Sequence, residues 1–222
     1  MLNLNILEKS KMEKLKSTLP NMLLSLTGVC VIAGAILAGV NEMTKEPIAQ
    51  SKAATLETAI KAVTPEFDNK PSEESYMVAT AEGDSVRIYP AKKGDEWVGA
   101  AVESFTKKGF GGEIKLIVGF DKEGKIVNYS VLQHAETPGL GAKMQDWFST
   151  DKGNQSIIGR AISADGLKVK KDGGDVDAIT AATISSRAFL DAVNRAYSAY
   201  SGVDATGAAT SKSSEEGGDS NE

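Results

Sequence analysis

Ile114-Lys-Leu-Ile-Val-Gly-Phe120, Asp121-Lys-Glu-Gly124 and Ile126-Val-Asn-Tyr-Ser-Val-Leu132 follow one another, with only Lys125 between the last two. Two apolar runs flank four residues rich in turn formers, which is the pattern of an antiparallel hairpin. Toward the N-terminus, Gly109-Phe-Gly-Gly112 is a flexible lead into the first of these strands. Before it, Val98–Phe105 alternates Val98, Ala100 and Val102. Ser85–Tyr89 reads as another strand, and Pro90 is expected to end it because proline has no N–H for a ladder. Ala53, Leu56, Ile60 and Val63 recur at helical spacing and stop near Pro65. Toward the C-terminus, Phe189, Val193, Ala196, Tyr197 and Tyr200 mark an amphipathic helix, with Ser185 or Ser186 as the expected cap and Gly202 as the stop. Strands in sequence with helices on either side predict an α+β fold, an antiparallel sheet with flanking helices.

No charged residue occurs from Ser17 to Asn41, and Met22–Val40 is a 19-residue apolar core. A helix needs about 20 such residues to cross the hydrocarbon layer. Lys9, Lys11, Lys14 and Lys16 precede the run, whereas Glu42 and Glu46 surround Lys45 after it. Positive flanks stay in the cytoplasm, so the remainder should face the outside. A cleaved signal would have a shorter apolar region, of about 7–15 residues. Ala33-Gly-Ala35, the one cleavage-like stretch, lies inside the run. Val29 stands before Cys30 where a lipoprotein signal wants a small residue. Gly34 with Ala38, and Ala35 with Gly39, are small-residue pairs suited to helix packing. The expected organisation is a cytoplasmic N-terminus (1–20), one transmembrane helix (21–41), an extracytoplasmic domain (42–202) and a disordered acidic tail (203–222).

The net charge is −5. The tail holds Asp204, Glu215, Glu216, Asp219 and Glu222 against Lys212, so it supplies −4 of that. No basic face is left to bind nucleic acid. Cys30, the only cysteine, excludes an intramolecular disulfide or a Cys-based cluster within the chain. His134, the only histidine, gives little support to a zinc site or a Ser-His-Asp hydrolase. No catalytic or metal-binding residue is assigned.

Two segments have the composition of a ligand site. Asp177-Ala-Ile-Thr-Ala-Ala-Thr183-Ile-Ser-Ser186 precedes the last helix, whose N-terminal amides and partial positive charge suit a phosphate. Read alone, such a Ser/Thr cluster is usually capping. Thr183 is a poor nucleophile without a base, so a covalent link there would need a separate enzyme. His134-Ala-Glu-Thr-Pro-Gly-Leu-Gly141 follows the hairpin. Its Pro138-Gly139 marks a turn, Gly141 permits close backbone approach, and Leu140 suits a flat ring. His134 and Glu136 form a possible polar pair, and a plain loop is the competing reading.

These two segments, with Gly109-Phe-Gly-Gly112 before them and a membrane helix at the start, resemble the FMN-binding domain shared by two subunits. One is the G subunit of the Rnf electron-transport complex; the other is the C subunit of the sodium-pumping NADH:quinone reductase. Asp177, Thr180, Ala182, Thr183 and Ser185 match the family's threonine motif, and Glu136, Thr137, Gly139, Leu140 and Gly141 fall in its second motif. The short chain favours the Rnf-type subunit. The resemblance, over about residues 12–200, implies one FMN per chain, joined by a phosphoester to Thr183. A flavin transferase would attach it, reading the segment that includes Asp177. It implies an electron-transfer subunit of a membrane complex coupling ferredoxin–NAD oxidoreduction to ion translocation, with other membrane subunits as partners and no stand-alone catalysis. The cytoplasmic (inner) membrane and a periplasmic domain follow from it. Ala181 departs from the motif, which has Gly there; a positive φ would cost Ala about 1 kcal/mol or more. The alternatives are a cofactor-free extracytoplasmic binding or scaffold subunit, the quinone-reductase counterpart, and a hydrolase using His134 and Glu136.

Overall fold

The computed structural model describes residues 18–80 and 83–202. The expected disordered tail, 203–222, and most of the expected cytoplasmic N-terminus lie outside the described residues. The chain divides between Ala53 and Ala54 into two units. The helix α1 (Leu19–Val63) contains Pro47. In the first unit its apolar side chains are uncovered, with Leu23 67% and Leu37 70% exposed. Its length and composition make it a candidate membrane span.

The second unit is built on five strands: β1 (Tyr76–Ala79), β2 (Ser85–Lys93), β3 (Glu96–Thr106), β4 (Ile114–Asp121) and β5 (Ile126–Gln133). They pair in sequence order, each antiparallel to the next. The hairpin at Asp121–Gly124 is closed by Asp121 Oδ1, which accepts from the amides of Glu123 and Lys125 at 2.9 Å each. The short helix α2 (Met144–Trp147) and the long α3 (Thr183–Ser201) follow the sheet.

Alternation along the strands gives the sheet two apolar faces. One carries Val102, Leu116, Val118, Phe120 and Tyr129 and is covered by α3. Phe189 of α3 stacks on Phe148 at 4.4 Å and meets Tyr129 edge-on at 4.9 Å. Ser104 Oγ donates to the Ala192 carbonyl at 2.8 Å, tying β3 to α3. On the other face Tyr89, Ala101 and Ile117 pack against Ala59, Ile60 and Val63 at the end of α1. There Gly119 lets the backbones touch, because a Cβ on it would lie 1.7 Å from the Val63 carbonyl oxygen.

Two local expectations change. Strand β2 does not stop at Pro90; it runs on to Lys93, with Pro90 opposite Ala100. The Pro90 carbonyl accepts from Asn69 Nδ2 at 2.9 Å, so this residue's hydrogen-bonding side faces away from β3, beyond the reach of β1. The missing N–H therefore costs no ladder bond. Strand β1 is also new; four residues are too few for a periodicity to stand out.

Gly119→Ala is expected to lower stability by about 1–3 kcal/mol, since the obstructing atom is backbone and the helix end must shift. Urea unfolding would check this; an unchanged midpoint would contradict the close packing of helix on strand.

Candidate functional site

The site is built where α3 begins. Ile179–Ala182 is a turn, closed by the Ala182 amide donating to the Ile179 carbonyl at 3.0 Å. Its third residue, Ala181, has φ +60°, the only positive φ among the described non-glycine residues. A turn with positive φ at its third position is the type II geometry, which favours glycine. Ala182 then occupies the cap position of α3 and supplies no side-chain bond, and Thr183 is the first helical residue. The cap is thus neither Ser185 nor Ser186. Ser186 Oγ accepts from the Ile179 amide at 2.9 Å and donates to the Ala182 carbonyl at 3.0 Å, holding the turn against the helix. The first amides of a helix have no carbonyl four residues back, so those of Thr183, Ile184 and Ser185 are available to an anion.

Thr183 is half-buried and its hydroxyl makes no hydrogen bond among the described residues. It opens onto a cleft of ≈ 290 Å³ lined also by Phe110, Thr137, Leu140, Gly141, Ala181, Ala182, Ile184 and Ser185. Phe110, Leu140 and Ile184 hold large apolar surface exposed around it, at 69%, 39% and 51%. Sequence reasoning missed Phe110 and Ile184 as lining residues and treated Ala181 only as a departure. An aromatic between three glycines was the available signal for Phe110.

Glu136 takes a different place from the one its motif suggested. Its side chain is buried and does not line the cleft. One carboxylate oxygen, Oε1, accepts from the Gly111 amide at 2.8 Å and the other, Oε2, from Ser185 Oγ. The carboxylate therefore joins the glycine loop to the start of α3 from within the 134–141 loop. Gly109 and Gly111 have no room for a Cβ, which would lie 2.3 Å from the Gly112 oxygen and 2.0 Å from the Ala135 oxygen. His134 does not pair with the Glu136 side chain; its Nδ1 accepts from the Glu136 amide at 3.2 Å. Lys108 Nζ and Thr106 Oγ1 reach Asp191 of α3 at 3.0 and 2.8 Å, anchoring the other end of the glycine loop.

Asp177, Thr180 and Gly139 stand outside the cleft lining. Asp177 is a clamp: its carboxylate accepts from Lys170 Nζ at 2.7 Å and the Asn154 amide at 2.8 Å. Its carbonyl accepts from Trp147 Nε1 at 2.8 Å. Lys170 first, and then the Asn154 amide, hold this carboxyl below the usual aspartate range. Thr180 is exposed at the turn.

With this geometry established, the chain can be set beside known proteins. The FMN-binding domain family matches residues 109–198, from the glycine loop to the last turns of α3. The G subunit of the ion-translocating oxidoreductase complex of Shewanella amazonensis is 36% identical over 81% of this chain and 86% of its own length. The chain belongs to this family of G subunits. The proteins of the same description from Escherichia coli K12 and Yersinia pestis are 37% and 36% identical, over 72% and 74% of this chain and 81% of each of theirs. In this member of the family the cleft residues Phe110, Thr137, Leu140, Gly141 and Ala181–Ser185 all lie inside the matched domain.

Two expectations follow. Ala181→Gly should stabilise the protein by about 1 kcal/mol by removing the left-handed strain, offset in part by the freer unfolded chain; thermal unfolding measures it, and a lowered midpoint contradicts it. The Asp177 clamp has a folded-state pKa below the unfolded one. Its contribution is therefore present above the ordinary aspartate value and is lost as pH falls through the depressed value. Asp177→Asn should flatten the stability profile below about pH 4, as read by unfolding at a series of pH values, and an unaltered acid limb would contradict the clamp.

Proposed function

We propose that this chain is a membrane-anchored electron carrier. It holds one FMN by a phosphoester to Thr183 and works as a subunit of an ion-translocating oxidoreductase complex of the Rnf type. The observation that carries this reading is the Thr183 hydroxyl, without a hydrogen bond among the described residues, at the start of α3 and facing a cleft with an apolar rim. The residues fit the group. The first amides of α3 and the helix's partial positive charge would hold a phosphate beside Thr183. Leu140, Phe110 and Ile184 offer apolar surface to a flat ring, and Gly141 keeps the wall thin. A cleft of ≈ 290 Å³ is at the lower limit of sites that enclose a whole drug-sized ligand, about 300–1,000 Å³. FMN, when bound, supplies the redox chemistry by taking up one or two electrons.

Thr183 has no hydrogen-bonded base among the described residues, so none of these activates its hydroxyl. This supports attachment by a separate flavin transferase. The new bond joins Thr183 Oγ1 to phosphorus as the bond from that phosphorus to the leaving group of a flavin-phosphate donor breaks; the threonine proton passes to the leaving group, and the chain gains the mass of FMN less water. The run of lysines before α1 and the acidic residues within it after the apolar stretch support a cytoplasmic N-terminus and a domain outside the cytoplasmic membrane. The names of the relatives, each a subunit of an ion-translocating oxidoreductase complex, support other subunits of such a complex as the working partners.

Protein from a host containing the transferase tests this. In-gel flavin fluorescence is expected to survive Thr180→Val and to vanish in Thr183→Val, with both variants folded. Fluorescence retained in Thr183→Val would overturn the attachment site.

A further inference from the structure

Three carboxylates of the second unit are buried among the described residues: Glu136, Asp172 and Asp191. Two have cations. Asp172 pairs with Arg187 at 2.5 Å, and Asp191 with Lys108 at 3.0 Å and Arg195 at 3.9 Å. Glu136 has none among the described residues; its partners are the Gly111 amide and the Ser185 hydroxyl. Those two donors steady a negative charge without cancelling it. The charge also lies against the cleft wall. A Cβ on Gly141 would stand 2.6 Å from Glu136 Oε2 and 2.4 Å from Ser185 Oγ, and both Gly141 and Ser185 line the cleft.

We propose that Glu136 sets the electrochemistry of the site: its fixed negative charge, one residue's thickness behind the cleft wall, lowers the reduction potential of the flavin bound there. The inference rests on the reading that the cleft holds FMN. Reduction places negative charge on a flavin, and an uncompensated carboxylate nearby, shielded from water and salt, opposes it. Glu136 thereby acts as a positioning residue through its bridge and as a tuning residue through its charge. The bridge alone would not need an acid, since a glutamine could accept from Gly111 and donate to Ser185.

That difference supplies the test. Glu136→Gln is made in the FMN-loaded full chain. Intact mass gives the loading, and redox titration of the flavin absorbance gives the midpoint potential. The expected result is full loading and at least a tenfold rise in the reduced-to-oxidised ratio at fixed potential. That is a positive shift of about 30 mV for a two-electron couple. Glu123→Gln, in the hairpin turn beside the far end of α3, should leave the potential unchanged. Ser185→Ala breaks the bridge but keeps the charge and should not raise it. A loaded Glu136→Gln chain with the wild-type potential overturns the proposal, and so does an equal rise in Ser185→Ala, which would mark a purely structural role. Should Glu136→Gln fail to load, Thr137→Lys offsets the same charge from an exposed cleft position and must raise the potential, or the proposal fails. A wild-type chain that lacks the FMN mass overturns the function reading instead.

Discussion

The carboxylate of Glu136 holds the site together. Gly111 precedes it by 25 residues and Ser185 follows it by 49, and it bonds to both while buried beneath the 134–141 loop. That bridge ties the Pro-Gly-Leu-Gly loop both to the glycine loop and to the first turn of α3, alongside the Thr106 and Lys108 bonds to Asp191. The packing leaves little freedom for substitutes. Gly109, Gly111 and Gly141 each stand where a Cβ would strike backbone or the bridge itself. The sheet supports the arrangement from below. Ser104 and Thr106 of β3 bond to Ala192 and Asp191, so the middle of α3 is tied to the strand that leads into the glycine loop.

Around this anchor, the helix start is kept clear of the protein's own side chains. Ala182 caps nothing, Ser185 is committed to Glu136, and Ser186 is committed to the turn before the helix. The Thr183 hydroxyl, in the first turn of the helix, makes no hydrogen bond among the described residues. The cost of the geometry falls on Ala181, which adopts a left-handed conformation in a turn that glycine would occupy without strain. Local strain beside a functional position is tolerated when the surroundings over-determine it, and the Ser186 bonds to both ends of the turn do so.

Much of the fold is legible in the sequence because it is locally encoded. The hairpin around Asp121–Gly124, strand β3 and the apolar face of α3 follow from alternation, turn chemistry and helical spacing. Pro90 misleads because its effect depends on which side of β2 has a neighbour, and the sequence does not say that β1 begins only at Tyr76, opposite Ile88. The cap of α3 misleads because Ser185 and Ser186 have capping chemistry but spend it on residues 49 and seven positions away. The cleft is partly legible: Thr137, Leu140, Gly141, Ala182, Thr183 and Ser185 do line it. Glu136 and Asp177 belong to the same motifs but face inward or sideways, as clamps. Motif membership identifies the neighbourhood, and burial decides which members face the ligand.

The central claim is the identity of the modified residue. Trypsin should release Asp172–Arg187, which contains Thr180, Thr183, Ser185 and Ser186. Fragmentation of that peptide from the native membrane protein should show the mass of FMN less water on Thr183. The same increment on Thr180, or an unmodified peptide as the only species, would contradict the account.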